Sequence, residues 1–197
     1  VKLCKDYKAN ILFTNATKAF DEVKNAEKEG YKFVHPFDGV NTLQGSATLG
    51  LEIVNQIKEI NTTIDNVLIS VGGGGLISGV GTVLKQYFSN INILGIEPDE
   101  AKGITDSLKA NVPLKKVHIN SIADSLCAPL HMDYSFSIAK QVINRMINIS
   151  DKDMANSMLF AFKHLKLFLE PACVAGFAAL KEHVSSEFKG QNTLILL

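Results

Sequence analysis

Charge of one sign is missing from this sequence: twenty Lys and Arg offset twenty Asp and Glu, and no window gathers the Lys into a patch. The electrostatic footprint that nucleic acids or anionic membranes require is therefore absent. Long apolar runs are absent too, since Val67–Val71 and Ala172–Leu180 fall far short of the roughly 20 residues that span a bilayer. Cys4, Cys127 and Cys173 are odd in number and widely spaced, which argues against a disulfide framework and against CxxC metal ligation. They read as small buried hydrophobes in a reducing compartment. A single Arg (Arg145) against nineteen Lys reads as coding bias. The five His, at 35, 118, 131, 164 and 183, include no i, i+4 pair and read as solvated or satisfied side chains. The opening Val-Lys-Leu-Cys-Lys-Asp has neither a charged lead before an apolar stretch nor a small-residue cleavage site, so no signal peptide is visible and a soluble cytoplasmic protein is expected.

What is present is an ordinary apolar fraction of 46% in 197 residues, enough to bury a sizeable core. Strand-like runs at Asn10–Phe13, Tyr31–Val34, Asn66–Val71, Ile91–Ile96 and Thr193–Leu197 alternate with helical stretches at Thr17–Glu29, Ala47–Glu59, Leu76–Phe88, Ser135–Arg145, Asp151–Leu167 and Ala172–Val184. Such alternation predicts an α/β fold, helix on sheet on helix, around a mainly parallel sheet. Ser150 with Asp153 forms a capping-box-like start, followed at helical spacing by Met154, Met158, Phe162 and Leu165. Pro171 suits the first turn of the next helix. Gly30 ends a helix, and Pro36 and Gly39 mark a loop.

The most informative segment is Val71-Gly72-Gly73-Gly74-Gly75-Leu76, set between an apolar strand and an apolar helix. Glycines without Cβ let the backbone turn sharply and present successive N–H groups, and the following helix N-terminus adds roughly half a positive charge. That geometry suits a phosphate. Two alternatives stand beside it. One is a tight turn whose glycines serve only close packing. The other is a dinucleotide site, since Glu97 ends the next strand near where a ribose-binding acid would sit. No Gly-Lys-Ser/Thr closes a Walker loop, and the GxGxxG register is missed.

Several segments in order carry a family resemblance. His35-Pro36-Phe37-Asp38 is similar to an HPFDD motif, with Gly39 for its second Asp. Gln44-Gly45-Ser46-Ala47-Thr48-Leu49-Gly50-Leu51-Glu52-Ile53 is similar to AGQGTIGLEI, and Gly72–Leu76 matches GGGGL. Gly95-Ile96-Glu97-Pro98 resembles GVEP, Ile122-Ala123-Asp124-Ser125 resembles IADG, and Leu169-Glu170-Pro171-Ala172-Cys173 resembles VEPAG. Together they resemble the serine/threonine dehydratase branch of the fold-type II pyridoxal-phosphate enzymes, of tryptophan synthase β-like fold, which also contains serine racemases. The resemblance implies pyridoxal 5'-phosphate as cofactor, held at its phosphate by the amides of Gly72, Gly73, Gly74, Gly75 and Leu76. Phe37 would lie on the cofactor side of its loop and Glu170 near the cofactor ring. A core aromatic and a helix-capping acid are the structural alternatives for those two.

The departures carry expectations of their own. Ser125 and Cys173 replace family glycines near the substrate. Gly103 has no carboxylate where some relatives use an acid to bind a cation, so no metal site is expected. The family's cofactor-bearing Lys, in a Ser-Phe-Lys context, has no counterpart before the glycine loop. The resemblance thus implies an internal fragment, inactive alone: residues 1–34 the tail of a smaller domain, 35–197 most of the larger one. The intact protein would eliminate the β-hydroxyl of serine or threonine, giving a 2-keto acid and ammonia, and would be a homo-oligomer as relatives generally are. Serine racemase on the same scaffold, an NAD(P)-dependent oxidoreductase and a non-catalytic amino-acid-binding module are the alternatives.

Overall fold

A strand buried on both faces needs helices above and below it, and Asn66-Val67-Leu68-Ile69 is such a strand, with all four residues buried. The computed structural model describes residues 1–14 and 16–197, which divide into the units Val1–Val34 and His35–Leu197. In the second unit β1 (Asn66–Ser70), β2 (Asn92–Pro98), β3 (Arg145–Ile149) and β4 (Thr193–Ile195) form one parallel sheet in the order β3-β2-β1-β4. Val67, Ile69 and Ile93 point to one core with α3 (Val40–Glu59), α4 (Gly75–Tyr87), α5 (Gly103–Ala110) and α6 (Asp133–Val142). Leu68, Leu94 and Ile96 point to the other, with α7 (Asp151–Phe160) and α8 (Ala175–Ala179). This is the three-layer α/β architecture expected from the sequence. No helix among the described residues is long and apolar enough to cross a membrane.

The first unit holds α1 (Lys2–Asp6) and α2 (Ala16–Lys28). Gly30, at φ 95°, closes α2 with the paired bonds of a Schellman motif: its N–H donates to Glu27 O, and Tyr31 N–H donates to Ala26 O. Asn10–Phe13 and Tyr31–Val34 are not strands: neither segment joins the four-stranded sheet.

Other boundaries moved for identifiable reasons. Helix α3 starts at Val40, seven residues before the expected Ala47, directly after Gly39 at φ 90°. The helix expected through Arg145 stops at Val142, and the next residues enter the sheet. Asn144 makes that switch: its N–H donates to Ile93 O, and its Oδ1 accepts the Ile93 N–H, so the side chain starts the parallel pairing that β3 continues. Helix α7 begins on the full capping box of Ser150 and Asp153. It gives way at Ala161–Leu165 to a wider π-helical turn, whose extra residue rotates the apolar positions out of phase. Met154 is accordingly buried, whereas Phe162 and Leu165 are exposed. Pro171 lies in the turn before α8, not in the helix, and α8 also opens into a π-helical turn at Leu180–Val184. The cysteines are not the buried hydrophobes expected of them: Cys4 is exposed on the short α1, and Cys127, in a loop, and Cys173, in a turn, are half-buried.

Helices α3 and α4 meet closely because small residues face each other. A Cβ on Gly79 would lie 2.5 Å from Leu43 O and 2.6 Å from Ser46 Cβ. Gly45, on the same helix as Leu43 and Ser46, has nothing within 4 Å. Gly79→Ala is therefore expected to cost about 1–3 kcal/mol through overpacking. Gly45→Ala should be neutral or add up to about 1 kcal/mol through helix propensity. Urea unfolding of the two variants checks the contrast, and equal losses would refute it.

Candidate active site

The strand β1 delivers the chain into Gly72–Gly74, and Gly74, at φ 92°, caps α4 without a side chain of its own. Among the described residues no hydrogen bond is made by the amides of Gly72, Gly73 and Gly74, and no side chain caps the first turn of α4. A row of orphan N–H groups at the start of an apolar helix is ready to receive an anion. These residues, with Ser70, Ile77, Pro36, Phe37, Ser125 and Leu126, line a cleft of about 270 Å³. Among the described residues no Lys or Arg lines it, and the donors it presents are main-chain dipoles.

The segment His35–Asp38 closes one wall. The Phe37 ring occupies the space beside Gly73, where a Cβ would collide with it, and a Cβ on Gly75 would fall 2.6 Å from Phe37 O. Phe37 thus lies against the glycine loop and faces the cleft. His35 braces it with an edge-on ring contact at 4.6 Å, and its Nδ1 accepts the Phe37 N–H. Asp38 Oδ1 accepts the Ser135 N–H at 2.7 Å, a cap supplied to α6 from ninety-seven residues away.

The opposite rim brings three distant segments together. Ser125 Oγ donates to Glu170 Oε1 at 2.9 Å, and Ser70 Oγ donates to Ala172 O at 2.8 Å. Ser125 lines the cleft, while Glu170 stands behind it, exposed, at the rim. A Cβ at Gly72 would meet Ser125 O at 3.0 Å, so the strand end and this turn are in contact.

Glu97 is spent elsewhere. Its carboxylate is 1% exposed and accepts N–H bonds from Ile104 (2.7 Å) and Thr105 (2.9 Å) and the Thr105 hydroxyl (2.8 Å), so it caps α5. It has nothing left for a ribose, and the dinucleotide reading loses its acid. Where Gly103 lacks a carboxylate, the ring of His131 stands instead, its Nε2 in the place that a Gly103 Cβ would take. His131, Ser135 and Asp38 are the parts of this region that sequence reasoning missed. His131 sits in no recognisable pattern and is neither solvated nor well satisfied, unlike the histidine expected there. Only the family-like His35–Asp38 segment pointed toward Asp38.

Burial pushes the Glu97 carboxyl up to about 7, with its hydrogen bonds opposing, and pushes His131 down to about 4, with the Gly73 carbonyl opposing. The two act on stability with opposite signs. Between pH 7 and 4.5 the folded chain holds a proton on Glu97 that the unfolded chain lacks, so acidification stabilises. Between 6.5 and 4 the unfolded chain holds a proton that folded His131 refuses, so acidification destabilises. From pH 6.5 to 4.5 the two contributions therefore oppose each other. In Glu97→Gln it should fall steadily from pH 6.5 downward, as urea midpoints across that range would reveal; a flat profile in the variant contradicts the assignment.

The chain is 37% identical over its whole length to a phenylserine dehydratase of Ralstonia pickettii, of which it covers 60%. Over 84% of its length it is 33% identical to the biosynthetic threonine dehydratase 2 of Solanum lycopersicum, covering 28% of that protein. Among solved structures, a T.th. threonine deaminase superimposes with a TM-score of 0.81 at 29% identity, over 90% of this chain and 60% of that one. The serine racemase of Dictyostelium discoideum gives 0.85 at 25% identity, over 99% and 62%. The chain thus spans about 60% of the length of the phenylserine dehydratase and of the deaminase. The model of the pyridoxal-phosphate dependent enzymes matches residues 1–197 from end to end, and the chain belongs to that family.

Proposed function

We propose that residues 35–197 are most of the larger, cofactor-binding domain of a pyridoxal-phosphate-dependent serine/threonine dehydratase, and that Val1–Val34 are the end of its smaller domain. The observation that carries the cofactor half is the row of unpartnered amides from Gly72 into the first turn of α4, walled by Phe37. The amides of Gly72, Gly73, Gly74, Gly75 and Leu76 would hold the phosphate. Phe37 would exclude water from one side of the cofactor. Glu170, oriented by the Ser125 hydroxyl, would stand at the ring's edge. The bound cofactor supplies an electron sink for the pair released when the α-proton leaves the substrate.

The reaction half, β-elimination of the hydroxyl to give a 2-keto acid and ammonia, is supported by the dehydratases among the relatives. The Lys that carries the cofactor lies, on this reading, outside these 197 residues, so this chain anchors and shapes while proton transfer at the α-carbon belongs to the whole protein. Serine racemisation is the second reading, favoured by the likeness to the Dictyostelium racemase. It begins with the same loss of the α-proton and differs in where the next proton arrives.

The full-length protein is expected to bind pyridoxal phosphate and to release keto acid from L-serine or L-threonine, with little D-serine. D-serine in excess of pyruvate would favour the racemase. No cofactor absorbance and no keto acid would sink the enzyme reading. Gly73→Val should weaken cofactor binding by roughly tenfold or more, since each charge-assisted bond lost costs about 1.5–3 kcal/mol, and absorbance titration measures it.

A further inference from the structure

The cleft side of the glycine loop is shaped by what holds the loop from behind. In a trans peptide the C=O and the next N–H point in opposite directions. Whatever fixes the Gly73 carbonyl therefore also fixes the aim of the Gly74 N–H. Two buried side chains belong to this region: Ser135, at hydrogen-bond distance from that carbonyl, and His131, which makes no bond of ordinary geometry to it. Ser135, fully buried, has its Oγ 3.5 Å from Gly73 O and equally far from Met132 O. Its backbone is clamped on both sides, the N–H by Asp38 Oδ1 at 2.7 Å and the carbonyl by Ser78 Oγ at 2.9 Å. The second is His131, 1% exposed, whose two ring nitrogens have no hydrogen-bond partner of ordinary geometry among the described residues. Its main chain is fixed by the N–H bond to Leu114 O at 2.7 Å, and its ring fills the space beside Gly103.

A buried imidazole without partners is costly, and an apolar side chain of similar size would fill the same space without that cost. The Gly73 carbonyl is the backbone acceptor that acts on the ring. Burial keeps the imidazole neutral, so it carries one N–H to give and no charge to compete with a phosphate across the loop.

We propose that His131 and Ser135 are positioning residues that hold the Gly73 carbonyl behind the loop and so aim the Gly74 N–H into the cleft at the cofactor phosphate. This rests on the reading of the loop as a phosphate cradle. Neither residue touches the cofactor. Asp38 and Ser78 act one step further back by fixing Ser135, which links the Phe37 wall and the phosphate donors through one chain of hydrogen bonds.

The test uses the full-length protein and compares pyridoxal phosphate with pyridoxal, which lacks the phosphate. Apoprotein is titrated with each, with thermal unfolding as a check on folding. His131→Leu and Ser135→Ala are each expected to weaken pyridoxal phosphate on the order of tenfold and to leave pyridoxal unchanged. His131→Gln, which restores an N–H, should recover most of the loss. The ³¹P resonance of the bound cofactor should move in the His131→Leu variant and return toward the parent position in His131→Gln. Equal weakening of both ligands, or no change in either, overturns the inference, and Ser135→Ala decides the matter if His131→Leu does not fold. A parent protein that binds pyridoxal as tightly as pyridoxal phosphate overturns the cradle reading itself, a separate failure that is visible before any variant is made.

Discussion

The second unit is organised around a contact that leaves no room for a side chain: the Phe37 segment lies on Gly73 and Gly75 so closely that a Cβ at either position would collide with it. The form of the cleft follows from that approach. It brings an aromatic wall to the end of β1 and leaves the loop amides without protein acceptors. It also obliges the segment before α3 to dock on the segment before α4, which is why those two helices pack through small residues such as Gly79. Backbone entropy disfavours such a glycine run in isolation. The packing it permits is the compensation.

Two helices in this unit start on carboxylates borrowed from elsewhere: α6 on Asp38 and α5 on Glu97. A local cap stabilises its own helix and nothing else, as Ser150 does for α7. A borrowed cap ties the helix start to a distant strand or loop, so neither can loosen alone. The parts around the cleft are linked in this way; α7 has its own local cap, and its Asp151 carboxylate also ties its start to the turn at Ser121 and Ile122 by accepting from both.

This division explains what could be read from the sequence. The parallel sheet, the three layers and the glycine loop were legible because burial on both faces leaves a continuous apolar run and because four adjacent glycines have few structural uses. The capping box of α7 was legible because both partners are three residues apart. Helix α5 was invisible, since it opens on Gly103 and its cap is six residues before it in a strand. Strand β3 is not legible, and its first residue reads as helix, because the residue that redirects the chain, Asn144, acts through a bond to Ile93 fifty-one positions away. Asn10–Phe13 and Tyr31–Val34 have strand-like composition, but strand character belongs to a pair, not to a segment. In the site, motif positions such as Phe37, Gly73 and Glu170 were named in advance, and the residues behind them, His131 and Ser135, depended on folding to reveal their place.

The donors facing the cleft are main-chain atoms, and this has a consequence for how the chain can change over time. Lysine or arginine in a phosphate site is lost by a single codon change, and its function goes with it. Among the described residues no such side chain lines this cleft. Drift damages the loop by adding atoms where glycine has none: they collide with Phe37 at Gly73 and Gly75, crowd the turn at Ser125 at Gly72, and strain the positive φ of Gly74. A descendant that had abandoned its chemistry could keep this loop for as long as the fold itself were useful, so the loop records ancestry more durably than it records activity.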